Sequence, residues 1–218
     1  FTYTQSTGAI GFYQSDSGTN TVFYLIPTQV FRDFSAWYHM VIVADTTQAT
    51  AANRLKMYVN GNQITSFSTA TYPAQNTNLL MNSAVANYFG YNLSGGGYYD
   101  GYLTEVNFVD GQALTPSSFG STNSTTGVWQ PAKYTGTYGT NGFYLKFSQN
   151  TTSTYAGSFN GSTQYLTVPD NAAWAFSGDF TLEAWFNITS LSNSHNYIIA
   201  QWVDSGGTDR AFSLGVDK

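Results

Sequence analysis

The sequence contains no cysteine and few charged residues. The absence of cysteine excludes disulfide bonds and thiolate metal sites as sources of stability. Charged residues make up 9% of the 218-residue chain, and the formal net charge is −5. With only seven Lys and Arg, the chain offers no basic patch for a nucleic-acid backbone or an anionic membrane surface. We therefore expect neither nucleic acid nor membrane among its partners.

The chain also lacks long apolar runs. No stretch is long and apolar enough for a membrane-spanning helix, and the first residues lack the basic and apolar regions of a secretion signal. Residues 1–13 already alternate between apolar and polar positions, as the interior of a strand-rich domain does. We therefore expect the chain to be a fragment or a processed product of a longer protein.

Aromatic residues, by contrast, are abundant and occur in short alternating segments. They make up 17% of the chain. Short segments of this kind, separated by turn residues and without a helical period, predict an all-β antiparallel sandwich. The predicted strands are 8–14, 21–26, 37–45, 54–60, 87–91, 98–110, 142–147, 163–168, 179–188, 196–203 and 211–216.

Two hairpins are predicted from local chemistry. Leu55, Met57 and Val59 alternate with polar neighbours, which predicts a strand with one buried face. The Asn60-Gly61 pair that follows is typical of a tight turn with positive φ and returns the chain through 63–65. The glycine-rich segment 94–97 predicts a second hairpin between 88–91 and 98–108.

Several of these segments together resemble one family. Segments 159–169 and 178–186 resemble the opening strands of laminin-G-like and pentraxin-like domains. Segments 37–43 and 55–61 resemble the central strands of that fold, and 100–108 resembles its closing strand. The resemblance implies a concanavalin A-like jelly roll, and with it a buried position for Trp37 and for Trp185.

The order of these segments departs from the family. Residues 1–120 carry the middle and closing strands, and 121–158 form a connector rich in Gly, Thr and Asn, which we expect to be ordered because it contains aromatic residues. Residues 159–218 carry opening strands, either of a second copy or as the permuted complement of 1–120. The sandwich is therefore expected to be split or permuted, over one chain or two.

A second resemblance concerns function. The amino-acid sequence of residues 29–147 is similar to repeats in structural proteins of marine bacteriophages. This resemblance implies a non-enzymatic structural protein on the virion surface, either a capsid decoration or a module of a tail or head fibre, in contact with other virion subunits and with copies of itself. A glycan-binding adhesin that recognises the host surface is the alternative, and an enzyme is the third class.

The residues that catalysis would need are scarce. Glucanases of this fold use two carboxylates roughly 5–9.5 Å apart, but Glu105 and Glu183 are the only glutamates and neither has a second acid on its own strand face. Asp179 could share a face with Glu183, but it is better explained as the turn residue before a strand. His39 is expected to pack in the core, and His195 to lie in a polar loop. We therefore expect no catalytic residues.

Candidates for ligand binding come from aromatic and acidic residues. Exposed rings can stack on sugar faces, and Tyr98, Tyr99, Tyr102, Trp174 and Trp202 could serve in this way. The family resemblance also suggests Ca²⁺ as a cofactor, held by loop oxygens, although turn and strand-end roles explain the same acids. The candidate calcium ligands are Asp45, Asp100, Asp110, Asp170, Asn171, Asp204 and Asp209.

Overall fold

The computed structural model describes residues 8–16, 20–79, 81, 87–92, 97–147, 156–168, 178–190, 195–201 and 211–217. Its strands are β1 (Ile10–Asp16), β2 (Asn20–Pro27), β3 (Tyr38–Ala44), β4 (Leu55–Val59), β5 (Asn62–Gln63), β6 (Phe67–Thr71), β7 (Asn87–Phe89), β8 (Tyr91–Asn92), β9 (Gly97–Tyr98), β10 (Asp100–Asp110), β11 (Gly120–Thr122), β12 (Trp129–Pro131), β13 (Phe143–Leu145), β14 (Gly157–Asn160), β15 (Leu166–Val168), β16 (Phe180–Ile188), β17 (His195–Gln201) and β18 (Ala211–Asp217). One helical turn, α1 (Ala51–Arg54), precedes β4, and a 3₁₀ turn spans Pro116–Ser118. Among the helices of the described ranges, none is long and apolar enough to cross a membrane.

Fourteen of these strands form two seven-stranded antiparallel sheets that pack face to face, while β8 pairs with β9 and β11 with β12 in two-stranded sheets. The first sheet has the order β15-β7-β17-β18-β1-β2-β6. The second has the order β13-β10-β16-β3-β4-β5, with β14 also pairing with β10. The prediction of an all-β antiparallel sandwich is therefore confirmed. The strands β6, β11, β12 and β14 were not predicted.

The last part of the chain lies inside both sheets. β16 is hydrogen-bonded to β10 on one side and to β3 on the other. β17 and β18 lie between β7 and β1 in the first sheet. Strands that follow the connector therefore pair directly with strands from residues 1–120 of the same chain, although they come last in sequence.

The main core lies between the two sheets and follows the alternation of the strands. Leu55, Met57 and Val59 on β4 are buried, whereas Lys56 and Tyr58 are half-buried on the other face, as predicted. All nine residues of β16 are buried. A central strand reaches this state only when both faces of its sheet are covered, so a further layer must lie on the outer face of the second sheet.

Both predicted hairpins are present. Asn60 (φ 48°) and Gly61 (φ 81°) form a two-residue turn with both φ values positive, and Tyr58 pairs with Gln63 across it. In the second hairpin, Tyr91 pairs with Tyr98. The turn of that hairpin, 93–96, lies outside the described residues.

Residues 112–142, which we call the covering segment, form the additional layer. Phe119 and Tyr134 of this segment pack with Val41, Val43 and Val109 in a second hydrophobic cluster. These three valines alternate with residues of the main core, so they lie on the outer face of the second sheet. The part of the connector that the structure describes is therefore ordered, and it makes the sandwich three layers thick.

Two positional predictions were wrong. Trp37 is 40% exposed, because it stands just before β3, where its ring contacts Tyr102 rather than the core. His195 is the first residue of β17 and not a loop residue, because its backbone pairs with Asp217 of β18. Trp185 is 7% exposed, as expected.

Candidate functional site

The outer face of the second sheet carries a buried polar cluster. Its members, which we call the polar cluster, are His39, Asn107, Trp129, Tyr138 and Glu183. The strands β3, β10 and β16 are adjacent and place His39, Asn107 and Glu183 on this face, because each alternates with residues of the main core. Trp129 and Tyr138 reach the cluster from the covering segment.

Each side chain of the polar cluster contacts another. Nε2 of His39 lies 2.7 Å from Oε1 of Glu183, and neither atom has another hydrogen-bond partner within the described ranges. The amide of Asn107 donates to Oε2 of Glu183 at 2.5 Å, and the Tyr138 hydroxyl donates to Oδ1 of Asn107 at 2.7 Å. The Trp129 indole donates to Nδ1 of His39 at 2.8 Å. The Asn107 amide also donates to the Glu105 carbonyl at 3.1 Å, so the side chains of the cluster are held by one another and by the backbone of β10.

These contacts fix the protonation of His39. An indole N–H can only donate, so Nδ1 of His39 is an acceptor and the ring proton lies on Nε2, facing Glu183. Burial lowers the pKa of His39 to about 3, because the charged ring would lose its hydration. Burial also raises the pKa of Glu183 well above its usual range, and the hydrogen bond that the Asn107 amide donates to Glu183 opposes that shift. His39 is therefore neutral near pH 7 and unsuited to acid–base exchange with solvent.

Trp129 covers the polar cluster on the side that faces away from the second sheet. A Cβ on Gly61 or on Gly120 would come within 2.6 Å of the Trp129 ring, so both glycines leave the space that the indole fills. The His39 ring stacks with Trp129 at 5.8 Å between centroids and with Trp185 at 4.8 Å. His39 and Glu183 are 0% and 1% exposed, which leaves no path for a sugar to reach the carboxyl group.

The two glutamates are closer than their sequence positions indicated. Glu105 has φ 50° and lies where the register of β10 shifts against β16, and its negative charge contributes to the raised pKa of Glu183. Its Oε2 accepts the hydroxyl of Tyr144 at 2.5 Å. The glutamates stand on adjacent strands, a relation that sequence reasoning missed because it depends on the pairing of β10 with β16.

The predicted aromatic binding residues that the structure describes, Tyr98, Tyr99 and Tyr102, differ in their surroundings. Tyr99 is 0% exposed and its hydroxyl donates to the Asn187 carbonyl at 2.7 Å. The expectation that its ring is exposed was therefore wrong, because the chain turns that ring into the core while its neighbour Tyr98 is half-buried. Tyr102 is 39% exposed. Trp174 and Trp202 lie outside the described residues.

Tyr98 belongs instead to a group of four rings, Tyr88, Tyr91, Tyr98 and Tyr165, which we call the tyrosine cluster. Tyr91 stacks with Tyr98 at 4.5 Å and lies 5.0 Å from Tyr165. Tyr165 also lies 6.4 Å from Tyr88 and 6.3 Å from Tyr98. The hairpin signal in the sequence brings Tyr91 to Tyr98, whereas only the fold brings Tyr165 to them.

The described calcium candidates, Asp45, Asp100 and Asp110, already accept hydrogen bonds within the protein. Asp45 accepts hydrogen bonds from Thr47 and Gln48, Asp100 from Thr189, and Asp110 from Asn141. Within the described ranges, no group of three or more His, Cys, Asp or Glu side chains could hold a metal ion. These three carboxylates stand at strand ends, where they accept hydrogen bonds from neighbouring residues. Asp170, Asn171, Asp204 and Asp209 lie outside the described residues.

Asp45 does pair with another acid, Asp179. Asp179 directly precedes β16, as predicted, and its carboxyl group lies beside that of Asp45. Burial and the charge of Asp45 raise the pKa of Asp179 from 3.8 to about 6. Although burial opposes it, hydrogen bonds from Thr47 and Gln48 lower the pKa of Asp45. Near pH 7 two carboxylates therefore face each other.

Removing this repulsion should stabilise the protein in a pH-dependent way. Asp179 binds its proton more tightly when folded, so its contribution is present below pH 3.8 and is lost as the pH rises through about 6. We expect Asp179→Asn to raise the free energy of unfolding by about 1 kcal/mol at pH 8, allowing for solvent screening, and to change little at pH 4.

Urea unfolding at both pH values checks this prediction. Asp33→Asn is the control, because Asp33 is exposed and its pKa is lowered by hydrogen bonds from Ser35. That variant should not gain stability at pH 8. Equal stability of Asp179→Asn and the wild type at pH 8 would show that the two carboxylates do not repel each other.

Comparison with known proteins agrees with this architecture. A family model described as the concanavalin A-like lectin/glucanases superfamily matches residues 1–118. The match includes His39, Glu105 and Asn107 but neither Trp129 nor Glu183. No curated protein and no solved structure matches the chain. Since the family model covers more than half of the sequence, the chain belongs to the concanavalin A-like lectin/glucanase superfamily.

Proposed function

We propose that this chain is a non-catalytic structural module of a virion, a capsid decoration or part of a tail or head fibre at the particle surface. The observation that carries the proposal is the covered outer face of the second sheet. Its carboxylate, Glu183, is 1% exposed and is held by His39 and Asn107. A lectin-like sandwich whose carboxylate serves internal packing is a scaffold.

The same geometry supports the proposal that the chain does not hydrolyse glycosidic bonds. Glycoside hydrolysis needs one carboxyl group to protonate the leaving oxygen and another to attack or to activate water, both in contact with the sugar. Glu183 lies beneath Trp129 and Tyr138 of the covering segment, and Glu105 is engaged by Tyr144. We therefore propose that the chain is not an enzyme.

The surface supports a role in assembly. Four large apolar side chains, Val30, Phe34, Trp37 and Tyr102, are between 39% and 44% exposed, and Trp37 contacts Tyr102. Exposed apolar and aromatic side chains are typical of surfaces that meet other proteins. With few charges to repel a neighbour, contacts with other virion subunits and with copies of this chain fit that surface. The resemblance to marine phage structural proteins supports the same location.

The proposal is tested on purified particles that carry the gene for this chain. Quantitative peptide mass spectrometry should find the chain at a fixed copy number per particle, and immunogold labelling should place it on the outside. A chain that occurs free in the lysate and is absent from purified particles would contradict the structural role.

Glycan recognition on the same particle is a second candidate. The specific observation in its favour is the tyrosine cluster, whose member Tyr165 is 45% exposed. Exposed aromatic rings provide the flat apolar surface on which the C–H face of a sugar packs. A surface module could both build the particle and hold the host.

A further inference from the structure

A cleft of about 420 Å³ opens next to the tyrosine cluster. It lies at one edge of the sandwich, where residues 161–165 lead from β14 in the second sheet to β15 in the first. Phe147, Phe159 and Tyr165 line it together with the polar residues Ser158, Thr163 and Gln164. The cleft therefore combines apolar ring surface with hydrogen-bonding groups.

Tyr165 joins the cleft to the tyrosine cluster. Its ring lines the cleft and also lies 5.0 Å from Tyr91 and 6.3 Å from Tyr98. At 45% exposure it presents part of its surface to solvent. A ligand that rests on Tyr165 can thus continue across the neighbouring tyrosines without leaving aromatic surface.

The polar side of the cleft is held in place before any ligand arrives. Oδ1 of Asn160 accepts the backbone N–H groups of Ser162, Thr163 and Gln164 at 3.0–3.1 Å. Its amide donates to the Thr163 hydroxyl at 2.9 Å. Gly161 adopts the positive φ of 68° that the turn requires. A loop that is already ordered loses less entropy when a ligand binds.

We propose that this cleft binds a neutral oligosaccharide, with one sugar ring stacked on Tyr165 and the adjoining units extending over the tyrosine cluster. Pyranose rings have an apolar C–H face that packs on aromatic rings and a rim of hydroxyls that bonds to side chains such as Thr163 and Gln164. Among the residues that the structure describes, none that lines the cleft is charged. The cleft therefore has no cation to pair with an acidic sugar and no carboxylate to hold calcium.

The inference rests on the glycan-binding candidate and names its site and ligand class. The lining residues fall between 147 and 166, outside the family match at 1–118. The site is thus a feature of this chain rather than of the matched segment. If the chain is found on particles but binds no sugar, the structural proposal stands and this inference fails.

The test measures binding of short neutral oligosaccharides of glucose, galactose, mannose and xylose by isothermal titration calorimetry, with EDTA present. We expect at least one to bind. Tyr165→Ala should weaken that binding by about tenfold, because it removes the stacking surface, whereas Tyr165→Phe should keep it. Because Tyr165→Ala also removes ring contacts with Tyr91 and Tyr98, its thermal midpoint is measured as well, and binding is compared at a temperature where both proteins are folded.

Phe34→Ala is the matched control. Phe34 is 44% exposed, close to the 45% of Tyr165, but it does not line the cleft. This variant should bind as the wild type does. The inference is overturned if no neutral sugar binds, if only acidic sugars bind, if EDTA abolishes binding, or if Tyr165→Ala binds as well as Phe34→Ala.

Discussion

Replacing Glu183 by Ala is expected to lower the free energy of unfolding by about 3–5 kcal/mol. The substitution leaves Nε2–H of His39 and the Asn107 amide without their acceptor in a site that is closed to water. Each unpaired buried donor costs about 1–3 kcal/mol, and the lost side chain adds a cavity. Glu183→Gln should cost less, about 1–2 kcal/mol, because it keeps the volume and one acceptor oxygen.

Glu105→Ala is the matched control, because Glu105 is the other glutamate of the chain and is only half-buried. It loses the hydrogen bond from Tyr144 and should cost about 1 kcal/mol. Urea unfolding of the three variants gives the comparison. If Glu183→Ala and Glu105→Ala were equally stable, Glu183 would be exposed to solvent and the covering segment would not close this face.

The second large effect is expected at Trp185. Trp185→Ala should cost about 3–5 kcal/mol, the range for truncation of a large buried aromatic residue. Its ring stacks with His39 and is 7% exposed. Trp185→Phe should cost less than Trp185→Ala, because a ring remains and the indole N–H has no hydrogen-bond partner in the described ranges.

Trp37→Ala provides the comparison within the same residue type. Trp37 is 40% exposed, so its removal should change the free energy of unfolding by only about 0.5 kcal/mol. Thermal or urea unfolding of both variants measures the difference. A large loss at Trp37 together with a small loss at Trp185 would reverse the assignment of these two side chains.

The strands and hairpins could be predicted because their signals are local. Alternation at Leu55, Met57 and Val59 depends only on the pleat of one strand. The turn at Asn60-Gly61 depends only on the φ values that these two residues tolerate. Neither requires knowledge of which strand lies next to which.

The polar cluster could not be predicted, because it depends on contacts between segments that are distant in sequence. Asn107 and Glu183 are 76 residues apart, and they meet only because β10 pairs with β16 in one particular register. Trp129 reaches His39 from a segment with no strong strand pattern. The sequence shows two isolated acids and an isolated histidine, whereas the sheet pairing makes a network of them.

The tyrosine cluster could not be predicted from the sequence either, although two of the residues concerned are neighbours in the chain. Tyr98 and Tyr99 are neighbours in sequence, yet Tyr99 is in the core and Tyr98 stacks with Tyr91. The two residues are identical in type, and which ring is buried depends on the side of the backbone from which each side chain projects. Tyr165 joins the cluster through the pairing of β15 with β7, a contact between distant segments.

The most direct test of the account is the protonation of His39, measured by ¹⁵N NMR of the imidazole rings between pH 8 and pH 5. The chain has two histidines, and the variant His39→Gln assigns the signals. We predict a neutral ring with the proton on Nε2 and no titration in this range, because burial lowers the pKa of His39 to about 3. A His39 that titrates near its ordinary pKa of 6.5 would show that water reaches Glu183. The proposal that the outer face of the second sheet is not a catalytic site would then be wrong.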